Sequence, residues 1–448
     1  MEPAPRAKLP VGAYLAATTA LEHFEGDSMA EKQNQSLIDL VAIAKQGDET
    51  PHSTLKRTLE AIRSHLGMQV AYASEFVEGQ SVFREVDAPG LEALVKAGDS
   101  MSLEHAYCRH ILEGRLPELI PDTSLEPFAA AMPITQAAHI GSHISVPIRL
   151  PDGRAYGMFC CVGFEANPSL NSRDLQTMRA FADLAAFEIN RDLEAKKAVD
   201  EKIARIRAVI EAGQFSMVYQ PIWDMRTHEA IGFECLARFA PLPSRPPNEW
   251  FAEAAEVGLG TELELAAIQA GLGAVASFPL HLHLAINASV ETVLHDGFLK
   301  LIADVPLERI VLEITEHTDV EDYEGLLNVL QPLRQRGLRL AIDDAGAGYS
   351  SLKHILNLRP DFIKLDMDLT RHIDLDPARR ALASALIAFA DDTDSCIIAE
   401  GVETASELAT LKALGVQQAQ GYFLGRPMPL ESALKQVGPV RLPAISAA

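Results

Sequence analysis

The sequence predicts an α/β protein: a C-terminal (β/α)8-type barrel with one antiparallel strand, preceded by a smaller α+β domain. Three observations carry this. From about residue 214 onward, short β-type runs alternate with helical runs until eight strand-like segments have passed, and repeated strand–helix units close a parallel sheet into a barrel. The first two segments, "SMVYQPIWD" and "AIGFECLARF", are joined by only a few residues around 226–229. That is too short for a parallel crossover, so the first strand runs antiparallel to the second. Upstream, the strand-like "QVAYASEF" and "SVFREV" and a hairpin, "HISVPIRLPDGRAYGMFCCVGF", turning on Pro151-Asp152-Gly153, stand between helical stretches.

The elements follow in order. Residues 1–35 read as a flexible lead-in. In 36–190, "SLIDLVAIAK" and "HSTLKRTLEAIRSHLG" carry helical spacing, and "NSRDLQTMRAFADLAAFEINRDL" is an amphipathic helix with Asn171 or Ser172 as N-cap and Asp174 in its first turn. A linker helix spans 191–212. Its Val199, Ile203, Ile206 and Ile210 are spaced 4-3-4, a coiled-coil-like seam. The barrel occupies 213–440, its later strands being "HLHLAINAS", "RIVLEITEH", "LRLAIDDAG", "DFIKLDMDL", "SCIIAEGVE" and "QQAQGYF".

Composition narrows the function. The chain has 448 residues, of which 48% are hydrophobic and 23% charged, as in ordinary globular domains. A formal net charge of −23 argues against a nucleic-acid polymer as partner, which needs a basic footprint. A small anionic ligand stays open if metal ions or local Lys and Arg reverse the sign in one pocket. Cys108, Cys160, Cys161, Cys235 and Cys396 are odd in number and show no metal-knuckle spacing, which fits a reduced, cytoplasmic protein. Adjacent Cys160 and Cys161 on a strand point to opposite faces. No apolar run reaches the roughly 18 residues of a membrane span, and the N-terminus lacks the pattern of a signal peptide.

In a barrel the active site lies at the C-terminal ends of the strands. Those ends carry Glu234, Asn287, Glu313, Asp343-Asp344, Lys364 and Asp366, Glu400 and Glu403, and Gln420. Strand alternation sets Leu284 and Ile286 against Ala285 and Asn287, and Leu340 and Ile342 against Ala341 and Asp343. The branched residues thus face the helices and the acids face inward. Only "IIAEGVE" alternates weakly, because Ile398 shares parity with Glu400. An all-oxygen donor set suits Mg²⁺ or Mn²⁺ rather than zinc. Two cations about 3.5–4 Å apart would remove the penalty of the adjacent carboxylates Asp343 and Asp344. Asp344 has outward parity on a continuing strand, so Gly346 and Gly348 are expected to turn the chain and bring it back.

These segments resemble one family. "ECLAR" at 234–238, "NAS" at 287–289, "LEITE" at 312–316, "DDAGAGYSSL" at 343–352, "IKLD" at 363–366, "AEGVE" at 399–403 and "QGYFLGRPMP" at 420–429 are similar to the EAL-domain phosphodiesterases. The resemblance implies a barrel with one reversed strand and hydrolysis of cyclic di-GMP to linear pGpG with Mg²⁺ or Mn²⁺, two per site. It implies that Glu234, Asn287, Glu313 and Asp343 hold one metal and Asp343, Asp344 and Glu400 the other. Lys364 would lie close to the hydrolytic water and, with Glu400, Glu234 and Asp343, form the catalytic set. Gln220 and Arg238 would contact substrate, with Glu403 and Gln420 supporting that side of the site, and Glu316 would anchor the loop after the fifth barrel strand. The GG(D/E)EF signature of the opposing cyclase is absent. Two departures stand out: Glu234-Cys235-Leu236 for Glu-Ala-Leu, and Ala345 and Ala347 for a Phe and a Thr, which predicts a loosely held loop. The alternative, a non-catalytic cyclic di-GMP receptor, usually lacks one or more of the acids, and none is missing here.

"SLEHAYCRHILEGRLPELIPDT" at 102–123 and "GSHISVPIRLPDGRAYGMFCCVGF" at 141–164 resemble GAF sensor domains. The resemblance implies a regulatory or dimerising module over 36–190 with an unknown small ligand, and a homodimer through the barrel and the linker helix. His105, Cys108, His110, His139 and His143 read as polar residues around a GAF pocket rather than a haem, metal or bilin site; Cys108 is followed by Arg109, not by His.

Overall fold

The computed structural model describes residues 51–437 except 241–244, 315–319, 321 and 346–348. The 1–35 lead-in, "SLIDLVAIAK", Glu316, and Gly346, Ala347 and Gly348 therefore lie outside the described residues. The chain forms two compact units, residues 1–197 and 198–448, described in turn. No helix among the described residues is long and apolar enough to cross a membrane.

The first unit is a six-stranded antiparallel sheet, in the order β3-β2-β1-β6-β5-β4. Its strands are β1 Val70–Val77, β2 Gln80–Asp87, β3 Ser100–Ser102, β4 Leu119–Ile120, β5 Ser142–Arg149 and β6 Ala155–Gly163. One face packs on the helix Pro51–Leu66 and the start of the helix Ser172–Glu211, through Leu59, Ile62, Phe159, Cys161, Met178 and Phe181. The other buries Tyr72, Phe83, Tyr107, Cys108, Met158 and Cys160. Cys160 and Cys161 thus enter separate layers, as the two-residue strand period requires.

The helix Ser172–Glu211 runs uninterrupted for 40 residues, so the amphipathic helix and the linker helix are one element. The expected seam is corrected at its far end. Ile206 and Val209 are fully buried, and with Ile210 they pack on Trp250, Ala254 and Leu263 of the barrel unit, while Val199 is exposed. A 3.6-residue helix drifts off a 3.5-residue stripe, and a neighbour in the same chain takes the drifting face. That neighbour, the helix Pro247–Glu256, is held by Lys202–Glu256 at 2.7 Å and Arg205–Glu253 at 2.5 Å, with the Arg245 guanidinium 4.0 Å over the Trp250 ring. Ile206 is thus fully buried, and Ile210 partly so, against residues of the same chain. Trp250→Ala should cost about 3–5 kcal/mol of barrel stability, read by chemical denaturation.

The second unit is a closed eight-stranded barrel, in the order β10-β11-β12-β13-β14-β7-β8-β9. Its strands are β7 Phe215–Asp224, β8 Ala230–Phe239, β9 His283–Ala288, β10 Ile310–Ile314, β11 Arg339–Ala345, β12 Phe362–Leu365, β13 Cys396–Ala399 and β14 Gln418–Ala419. β7 is antiparallel to both neighbours and every other pair is parallel, the one reversed strand that the short β7–β8 connection demands. Ile222, Ala285, Val311, Ala341, Phe362 and Ile398 fill the inside. Leu284, Ile286, Leu312, Ile314, Leu340 and Ile342 belong to the core outside the strands. Ile398 lies in the inner layer, so its shared parity with Glu400 is no irregularity: one is the rung below the other.

Candidate active site

Two residues along each strand from the inner apolar layer lies the next inward rung. Ala285 leads to Asn287, Val311 to Glu313, Ala341 to Asp343, Phe362 to Lys364 and Ile398 to Glu400. β8 adds Glu234, and Gln420 follows β14. The barrel thus gathers onto one ring polar groups that are up to 186 residues apart.

Lys364 stands at its centre, 1% exposed. Its Nζ lies 2.7 Å from Glu400 Oε1, 2.9 Å from Glu313 Oε2, 3.0 Å from Asp343 Oδ1 and 3.8 Å from Glu234 Oε1. Burial alone would lower the lysine's pKa, but the four surrounding carboxylates outweigh it and hold the ammonium well above its usual range. Around Glu234, burial pushes the carboxyl up. Lys364 and the amides that bond it, Gln420 Nε2 to Oε2 at 2.6 Å and Asn287 Nδ2 to Oε1 at 3.0 Å, bring it below its usual value. Glu313 is raised far above its usual value, chiefly by burial and further by Glu234 and Asp343. Glu400 is pushed up to about 8, first by burial and then by Asp343 and Glu234, against the pull of Lys364.

Asp344 differs from expectation in how it is aimed. Its own backbone is left-handed, φ 53°, and the β11–β12 register slips between Ile342 and Ala345. The departure from the regular strand is therefore present at Asp344 itself, while Gly346 and Gly348 lie outside the described residues. A non-glycine residue in the left-handed region is uncommon, and Asp is among the few types that tolerate it. Burial, then Asp343 and Asp366, raise its carboxyl to about 7. Ala345 is the fully buried last residue of β11, not a loose loop residue. Ala345→Phe should accordingly overpack the core and lower the melting temperature, a loss of about 1–3 kcal/mol.

The donor chemistry fits hard cations. Asp343, Asp344 and Glu400 each offer an oxygen, all within 4.8 Å of one another. Glu313 Oε1 is buried without a hydrogen-bond partner among the described residues, a costly arrangement for a carboxylate unless a cation meets it. With its amide nitrogen on Glu234, Asn287 keeps its carbonyl oxygen as a further donor.

A cleft of about 580 Å³ opens beside Asp344 and Asn287, with Arg238, Asn248, Phe251 and Ser289 along its walls. Arg238 is half-exposed, its Nη1 donating to the Ala237 carbonyl at 2.8 Å. Gln220 points its amide at the Gly425 carbonyl, 3.1 Å away, and Gln420 at Glu234, so both brace the wall of the ring. Glu403 sits at the rim, 44% exposed, paired with Arg371 at 3.2 Å, and does not line the cleft. Sequence reasoning missed Asn248, Phe251 and Glu264. Glu264 accepts from both the amide and the hydroxyl of Ser289 at 2.8 Å, yet in sequence it is one more acid in a helix.

Known proteins resemble both units. The GAF domain model matches residues 50–189 and the EAL domain model residues 203–427. The cyclic di-GMP phosphodiesterase PA2567 of Pseudomonas aeruginosa is 30% identical over 225 residues, 48% of this chain and 38% of that protein. The cyclic di-GMP phosphodiesterase PdeR of Escherichia coli is 29% identical over 317 residues, 65% of this chain and 47% of that protein. The chain spans less than half the length of these curated relatives. A solved structure of the EAL enzyme Bd1971, bound to cAMP and cyclic di-GMP, superposes with a TM-score of 0.50 at 18% identity, over 83% of this chain and 93% of that one, a likeness of fold.

Proposed function

This chain belongs to the EAL domain family, and from that premise we propose that its barrel hydrolyses one phosphodiester bond of cyclic di-GMP to linear pGpG with two divalent cations, Mg²⁺ or Mn²⁺. The observation that carries the reading is the complete ring of acids around Lys364 at the end of an open cleft. Glu234, Asn287, Glu313 and Asp343 would hold one cation, and Asp343, Asp344 and Glu400 the other. Bound cations would make a water more acidic and offset charge on the phosphoryl oxygens.

The chain's own groups do the rest. Lys364, itself fully buried at the inner end of the cleft, keeps a fixed positive charge beside the reacting phosphoryl group, where such a desolvated charge acts strongly. Gln420 and Asn287 hold Glu234 in one orientation. Arg238 can grip phosphate oxygens with its planar fork from the cleft wall. Arg238→Ala should raise KM about tenfold with a smaller change in kcat, measured by steady-state kinetics. In the same reading residues 36–190 are a GAF-like sensor, 191–212 a linker helix and 213–440 the catalytic domain of a cytoplasmic homodimer whose activity the sensor adjusts.

The test is direct. Purified protein with cyclic di-GMP and Mn²⁺ or Mg²⁺ should yield pGpG on chromatography, and EDTA should stop it. Tight binding with no product would assign a receptor instead. A second check uses protons. Asp344 and Glu400, raised to about 7 and 8, hold protons at neutral pH that a cation must displace. Mn²⁺ affinity should therefore rise from pH 6 to pH 9 with net proton release, seen by calorimetry in buffers of different ionisation enthalpy. A flat profile would rule this out.

A further inference from the structure

One wall of the cleft beside the acid ring is the helix Pro247–Glu256, which carries two stripes of helical spacing. Trp250, Glu253, Ala254 and Val257 form the first. Its apolar members pack in one cluster with Ile206 and Val209 from the end of the helix Ser172–Glu211. Asn248, Phe251, Ala252 and Ala255 form the second, offset by two residues and so about 200° round the axis, and all four line the cleft. Phe251 is the one aromatic ring among the described residues that line it. The ring is half-buried and meets Phe239 edge to face, 5.6 Å between centroids, and Phe239 stacks in turn on Trp250 at 5.2 Å.

A buried carboxylate fixes how this helix sits. Glu253 is 8% exposed, and both of its oxygens are taken by arginines from outside the helix. Oε1 accepts from Arg205 Nε at 2.8 Å and from Arg205 Nη2 at 2.5 Å, and Oε2 accepts from Arg245 Nη1. A carboxylate that has lost its water must keep such partners, and their directed bonds set the rotation of the helix more sharply than apolar packing does. Lys202, one turn earlier on the long helix, grips Glu256 from the same side. A rotation that released Glu253 would carry Phe251 away from the cleft, since the two residues lie on one helix.

We propose that Arg205 is a positioning residue for the substrate: by clamping Glu253 it holds the Phe251 ring at the cleft wall, where a base of cyclic di-GMP stacks on it. The inference rests on the reading of the barrel as a cyclic di-GMP phosphodiesterase. It makes the last turns of the long helix part of the support of the cleft.

Steady-state kinetics on the full chain, with hydrogen exchange on the same proteins without substrate, tests it. Phe251→Leu keeps apolar bulk but loses the ring face. It should raise KM about tenfold with kcat within about threefold of the parent, the effect of losing one base–aromatic stack. Arg205→Glu sets like charges together. It should raise KM by a similar factor and speed exchange of the amides over 247–256, while β10, β11 and β12 exchange as in the parent. Arg205→Lys restores an ion pair and should return both readouts toward the parent. Because Arg205 acts through Phe251, the double variant should have the KM of Phe251→Leu alone, whereas independent contributions would multiply to about a hundredfold. A parent chain that neither binds nor cleaves cyclic di-GMP would overturn the reading of the barrel and this inference with it. Hydrolysis by the parent with unchanged KM or unchanged exchange in Arg205→Glu, or with multiplied effects in the double variant, would overturn the positioning role alone.

Discussion

Lys364→Met should give a protein without measurable phosphodiesterase activity, whose metal-free form melts at a temperature that falls steadily as the buffer is made more alkaline. The lysine is fully buried and within 3.0 Å of three carboxylates. Removing one partner from a buried charge cluster typically costs about 3–5 kcal/mol, because the remaining charges stay desolvated and uncompensated. The pH dependence has a definite sign. Burial, reinforced by neighbouring acids, places Glu400 at about 8 and Asp344 at about 7 even with the lysine present. A carboxyl whose folded pKa lies above its unfolded value gives the folded state more protons than the unfolded one. Stability is then full below the unfolded pKa, near 4, and declines as pH rises through the folded values. Deleting Lys364 removes the one influence that pulls Glu400 down and so extends the loss. The variant should be close to the parent near pH 5, well below it at pH 8.5, and partly rescued by Mn²⁺, which replaces the missing charge. Parallel melting curves across that range would show that Lys364 is not what compensates the ring.

Asp343→Asn or Glu234→Ala should remove hydrolysis while leaving the barrel folded. Asp343 belongs to both proposed cation sets. Losing it forfeits several kcal/mol of charge stabilisation in the transition state, a fall of about a thousandfold or more in kcat. The fold does not depend on it in the same way. Asp343 pushes Asp344, Glu313 and Glu400 upward, so the amide relieves repulsion, and the metal-free variant should melt no lower than the parent. Product chromatography and a thermal scan together decide this. Activity within tenfold of the parent in either variant would end the two-cation reading. Asp344→Asn is the matching control for the second set, since Asn also accepts the left-handed backbone at 344 and isolates the charge from the conformation.

Much of the architecture is legible in the amino-acid sequence, for a local reason. Strand alternation is decided by a residue's immediate neighbours, so the inward parity of Asn287, Glu313 and Asp343 and the outward parity of the branched residues beside them followed from the chain alone. The reversed β7 followed from the length of one connection. Even Ile398, which looked irregular, obeyed the same period once its layer was known to be the inside of the barrel. What the sequence left open were relations between distant residues and departures from the regular strand. Nothing in "QGYF" tells that Gln420 holds Glu234, and nothing in "IKLD" tells that Lys364 meets four acids rather than solvent. Glu264 could be told from other helix acids only when Ser289 arrived against it. Asp344 has a left-handed backbone of its own, and Ile206 and Ile210 pack on Trp250. Periodicity and turn length are properties of neighbours in the chain. Hydrogen bonds, ion pairs and packing partners belong to whichever surfaces the closed barrel brings together, and only tertiary structure decides that.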